Sequence, residues 1–79
     1  MTEPTLLEER GYAFRFRSSA GPEPPHVHVE GHGGAAKFWL DDLAIASDRG
    51  YTRRQLDQIM QIVEAHQAEF VSRWHEYFG

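Results

Sequence analysis

Between Tyr12 and Leu40 the chain alternates apolar with polar or small residues in short runs, broken once by the loop Ser18 to Pro25 and once by a glycine-rich turn. Alternation of period two is the signature of a half-buried strand, and few folds can absorb it. Tyr12, Phe14 and Phe16 alternate with Ala13, Arg15 and Arg17. A second run, His26 to Glu30, sets His26, His28 and Glu30 against Val27 and Val29. It is entered through Pro24-Pro25, which holds the backbone extended. Gly31-His32-Gly33-Gly34 supplies a tight hairpin loop, because glycine accepts positive φ. Ala35 to Leu40 follows, Asp41-Asp42 offers a second turn, and Leu43 to Ser47 reads as a weaker fourth strand.

Register follows from these turns. Closing the first hairpin pairs Glu30 with Ala35, Val29 with Ala36, His28 with Lys37, Val27 with Phe38 and His26 with Trp39. Closing the second pairs Leu40 with Leu43, Trp39 with Ala44, Phe38 with Ile45 and Lys37 with Ala46. Residues directly across a ladder share a face. One face then holds Val27, Val29, Ala36, Phe38, Leu40, Leu43 and Ile45. The other holds His26, His28, Glu30, Lys37 and Trp39. A slip of one residue would mix the two sets.

The remainder reads as helix. Thr52 and Gln55 have the spacing of a capping box, with Tyr51 and Leu56 placed as its hydrophobic staple. Leu56, Ile59, Met60, Val63, Phe70, Trp74 and Tyr77 then recur at helical steps, an amphipathic stripe that would cover the apolar sheet face. One straight helix over 53–78 would run about 39 Å at about 1.5 Å per residue. A domain of this size has a radius of gyration of only about 12 Å, so a bend or break is expected near His66-Gln67. The fold class is therefore α+β: a three- to four-stranded antiparallel meander packed against a long or broken C-terminal helix. Residues 1–11 are expected to be a flexible N-terminal tail, with Leu6 and Leu7 docking, and residues 12–79 a single α+β domain.

Composition narrows function by exclusion. The chain has 79 residues and no cysteine. A disulfide framework and thiolate zinc sites are thus excluded, and a reducing compartment such as the cytoplasm is the expectation. The first ten residues lack the basic-then-apolar pattern of a signal peptide. No apolar run approaches the roughly 20 residues needed to span a bilayer. The net charge of −4 means that nucleic acid could be held only through a local positive patch.

Three of the five histidines, His26, His28 and His32, fall within the eleven residues 24–34. Side chains two apart on a strand stand about 6.7 Å apart at the base, so His26 and His28 could meet at one ion. Glu30 is too far from His26 to join them, and zinc needs at least three protein ligands. No metal and no cofactor is therefore expected. As an acid–base pair, His26 and His28 could serve as catalytic residues, since imidazole titrates near neutral pH. Arg15, Arg17 and Lys37 would hold a phosphate, and Trp39 would stack a base. The plainer alternative is a solvated strand face that docks a protein partner, with Arg15 and Arg17 in surface ion pairs. Ser18, Ser19, Ser47 and Ser72 sit in no nucleophile-elbow context, and Gly31 to Gly34 lacks the lysine of a phosphate-binding loop.

The run Pro24-Pro25-His26-Val27-His28-Val29-Glu30, the AKFWL strand behind it and the ending QLDQIMQIVEAHQAEFVSRWHEYFG resemble a bacterial family, the domain-of-unknown-function family numbered 4160. The resemblance spans about Tyr12 to Gly79, and its Pro-His-x-His-Val core falls on Pro25, His26, His28 and Val29. Members of that family are small and are often encoded beside a protein of another uncharacterised family, numbered 2442, an arrangement like a toxin–antitoxin operon. The resemblance implies a cytoplasmic bacterial protein bound to a cognate antitoxin-like protein encoded nearby, and little chemistry. Joined to the histidine, basic and aromatic side chains on one sheet face, it makes a toxin acting on RNA or the translation machinery through His26 and His28 the expectation. It carries over no role for His32, and it leaves open whether the chain is an enzyme or self-associates. A non-enzymatic protein-binding adaptor or regulator is the alternative.

Overall fold

The computed structural model describes residues 5–18 and 21–79. Five strands come first: β1 (Thr5–Glu9), β2 (Tyr12–Arg15), β3 (His26–Gly31), β4 (Gly34–Trp39) and β5 (Ile45–Arg49). Two helices follow, α1 (Arg53–Ala65) and α2 (Gln67–Phe78). The strands form one antiparallel sheet in chain order. The architecture is the expected α+β meander, with five strands rather than three to four. The added strand is β1: Leu7 pairs with Phe14, Glu8 with Ala13 and Glu9 with Tyr12. Leu6 is buried, so residues 5–9 are sheet and not tail. Residues 1–4 of the expected tail, and 19–20 of the loop after β2, lie outside the described residues.

Two turns fix the meander. Arg10-Gly11 and His32-Gly33 have φ of 56° and 83°, and 51° and 79°. Positive φ at both central residues marks the two-residue hairpin whose twist matches the strands it joins. The β3–β4 register is the expected one from Glu30–Ala35 to His26–Trp39, and Gly31 pairs with Gly34 as well.

The fourth expected strand is displaced. Phe38 pairs with Ile45, and the Trp39 amide donates to the Ala44 carbonyl at 2.9 Å, as the register required. The ladder then shifts, and Lys37 faces Ser47 rather than Ala46. Leu43 has φ 62°, a conformation that removes it from any strand. The strand is therefore Ile45–Arg49, not Leu43–Ser47. Ile45, expected in the core, is 42% exposed. β5 is the edge strand beyond β4, and all five of its residues are exposed.

The helical half follows its local signals. Thr52 Oγ1 accepts from the Gln55 amide at 3.1 Å, and Gln55 Oε1 accepts from the Thr52 amide at 2.9 Å. Tyr51 is buried and its hydroxyl donates to the Gly31 carbonyl at 2.9 Å. The helix breaks at His66, whose φ of −114° and ψ of 13° interrupt the spiral. Its Nδ1–H donates to the Ile62 carbonyl at 2.9 Å. Gln67 Nε2 then donates to the Leu40 carbonyl at 2.6 Å, which ties the start of α2 to the end of β4. The break keeps the molecule within 34 × 26 × 20 Å, with a radius of gyration of 11.6 Å.

Both helices lie on the face of Phe14, Val27, Val29 and Phe38, all fully buried, and fill it with Ile59, Val63 and Phe70. Phe14 and Phe70 rings lie 6.0 Å apart, and Trp74 meets Phe16 edge-on at 5.2 Å. Ile62, outside the expected stripe, is buried too. No helix is long and apolar enough to cross a membrane among the described residues.

Candidate functional site

The face of the sheet turned away from the helices can be read in rows, because partners across a ladder point the same way. One row runs Glu8, Ala13, Glu30, Ala35, Arg49 through all five strands. The next holds Arg15, His28, Lys37 and Ser47. Beyond it stand His26 and Trp39. Arg17, just past β2, reaches back, and its guanidinium lies 3.9 Å from Glu30, which Arg15 also approaches at 4.0 Å. The structure thus brings Arg15, Arg17, His28, Lys37 and Trp39 to one surface, as the alternation required.

His26 needs correction. Its ring does start from this face, 5.1 Å from His28 and 5.5 Å from Trp39. It is nevertheless only 1% exposed. Trp74 of α2 lies 5.0 Å from it, at the end of the sheet where β3 begins. Nδ1–H donates to the Pro24 carbonyl at 2.9 Å, which leaves Nε2 as the bare acceptor of a neutral ring. That nitrogen is buried with no hydrogen-bond partner. Burial pushes the His26 pKa down, against the opposing pull of the Pro24 carbonyl. Of the two histidines expected to act as a catalytic pair, His26 is thus enclosed and only His28 stands at the surface.

His28 is half-buried and stays at the surface. Desolvation first, then positive charge close by, that of Arg17 above all and Lys37 with it, push its pKa down to about 4. At neutral pH it is an uncharged imidazole, able to accept a proton or a hydrogen bond but unable to act as an acid. Lys37 is paired with Glu23 in the loop before β3, and that bond holds the Glu23 carboxyl below its ordinary value. Lys37 Nζ also sits 4.5 Å from the Trp39 ring centroid, a cation–π contact. A base could stack on that side of Trp39 only after Lys37 moved away.

Two small residues leave hollows in this face. Around Ala13 lies one of about 540 Å³, walled by Glu8, Glu9, Arg15 and Glu30 among others. Around Ala35 lies one of about 310 Å³, walled by Arg17, His28, Ser47 and Arg49 among others. Ser47 and Arg49 escaped the sequence argument because β5 has no apolar alternation to mark its faces, and a shifted ladder sets them. His32 plays a structural part: its Nε2–H donates to the Arg10 carbonyl at 2.8 Å, and its ring packs on Tyr12 at 4.8 Å. No group of three or more histidine, cysteine, aspartate or glutamate residues has the arrangement of a metal site among the described residues.

No curated protein and no solved structure matches this chain. A family model does, over residues 11–75, and its description is Domain of unknown function (DUF4160). The match takes in the five-stranded meander from the first turn onward and nearly all of both helices, and with it the whole histidine-bearing face; the chain belongs to the DUF4160 family.

Proposed function

We propose that this chain is the toxin component of a bacterial toxin–antitoxin pair, cytoplasmic, and that it acts on RNA or the translation machinery through the open face of its sheet. The observation that carries the reading is the gathering of Arg15, Arg17, His28, Lys37, Trp39 and Arg49 on one surface that neither helix covers. Lys37 is paired with Glu23, and Arg15 and Arg17 share Glu30, so it is Arg49 and the loosely paired Arg17 that give phosphates a place to bind. With His26 enclosed and His28 uncharged, the face suits binding more than two-histidine cleavage: the arginines hold phosphate oxygens and His28 accepts a hydrogen bond, from a 2′-hydroxyl for instance. Growth of host cells expressing the chain, with and without the product of the neighbouring gene, tests this. Arrest that is relieved by the neighbour and lost in Arg17→Gln/Arg49→Gln is the expected result. Unimpeded growth on free expression, with soluble protein present, defeats it.

A second reading, a non-enzymatic adaptor, is favoured by β5. An edge strand presents unpaired backbone groups to any extended partner, and here it is fully exposed beside Ile45. Partner binding that survives Arg17→Gln/Arg49→Gln but not Ile45→Asp supports the adaptor.

A further inference from the structure

The hollow around Ala35 differs from the rest of the face in its charge. Arg17, just past β2, and Arg49 on β5 both line it, around a floor that includes the Ala35 methyl group. Arg17 has only a loose pairing, the 3.9 Å contact with Glu30. Arg49 makes no ion pair among the described residues. Both therefore keep donors to spend, in the planar fork that fits phosphate oxygens. The Ser47 hydroxyl adds a donor from the same row as His28. Asp48 also lines the hollow, but it pairs with Ala36 and so belongs to the opposite face of β5. Glu30, the other nearby carboxylate, is shared between Arg15 and Arg17.

We propose that this hollow seats a terminal phosphomonoester, the phosphate at the end of an RNA strand or of a nucleotide, between Arg17 and Arg49. The proposal rests on the RNA reading above and sharpens it. Two guanidinium charges match a phosphomonoester, which carries close to two negative charges at neutral pH, better than the single charge of an internal diester. The low pKa of His28 fits the same picture, since part of it reports the positive field of Arg17 and Lys37. A neutral imidazole there accepts no second anion and leaves the seat to the arginines.

Fluorescence anisotropy at pH 7.5 with one short oligoribonucleotide, carrying either a 5′-phosphate or a 5′-hydroxyl, tests it. The phosphorylated strand should bind about tenfold tighter or more, the scale of one charge-assisted hydrogen bond. Arg49→Gln and Arg17→Gln should each erase that preference. Arg54→Gln, which removes the same charge from an exposed helix position, should keep it. Equal affinity for the two strands, or a preference that survives Arg49→Gln in folded protein, overturns the seat and leaves RNA binding standing. If neither strand binds, titration with adenosine 5′-monophosphate against adenosine separates the two ideas. Nucleotide-specific shifts of the Ser47 and Arg49 amide resonances then uphold the seat without RNA, and their absence overturns it.

Discussion

His26 shows how little room a single ring has in this molecule. It donates to Pro24, touches Trp39 and Trp74, and leaves one nitrogen unsatisfied. Removing the ring should cost more than replacing it. His26→Ala opens a cavity beneath Trp74 and should lower stability by about 2–4 kcal/mol in urea melts. His26→Phe loses one hydrogen bond but also removes the bare nitrogen, and should stay within about 1 kcal/mol of the parent. His28 supplies the pH dependence. Its folded pKa, about 4, lies below its ordinary 6.5, so folding favours the neutral ring. The stability this gives is complete above pH about 6.5 and is lost as pH falls through 4. At about 1.4 kcal/mol per unit the full shift would give about 3.5 kcal/mol; solvent screening of a half-buried ring reduces the expected loss to about 2–3 kcal/mol. His26 is shifted in the same direction. Urea midpoints measured from pH 7.5 to 4.0 should fall for the parent and fall less for His28→Gln.

At the scale of elements, the signals that held were those whose partners are close in sequence. The partners of the Thr52–Gln55 box are three positions apart, and Thr52→Ala should cost about 1 kcal/mol of stability, read as a lower melting temperature. The β3–β4 hairpin turns over two residues, so its ladder, and with it the shared face of His28, Lys37 and Trp39, was legible from alternation alone. What escaped depends on distant contacts. Nothing within Thr5–Glu9 says strand; β1 exists because Leu6 and Leu7 find the edge of β2. His26 alternates like an exposed residue, and its burial comes from Trp74, 48 positions later in the chain. The displacement of β5 comes from Leu43 adopting positive φ and from a ladder shift beside Lys37, neither of which the letters LAIAS announce.

For the molecule as a whole, one apolar cluster runs from Leu6 on β1 to Trp74 on α2. A domain with a single core of this kind should unfold in one cooperative step. Deleting residues 1–9 should then weaken everything at once. Loss of the buried Leu6 and the half-buried Leu7 should cost about 3 kcal/mol, with an unchanged single transition. A true tail would leave the midpoint where it was.

The clasp between the two hairpin tips has a consequence for position 11. A Cβ on Gly11 would lie 2.5 Å from His32 Nε2, while that same nitrogen closes the bridge to Arg10. A side chain at position 11 would have to push the imidazole off its bond to Arg10, and it would still carry the strain of a φ of 83°, so Gly11→Ala should destabilise the fold even where His32 has been replaced.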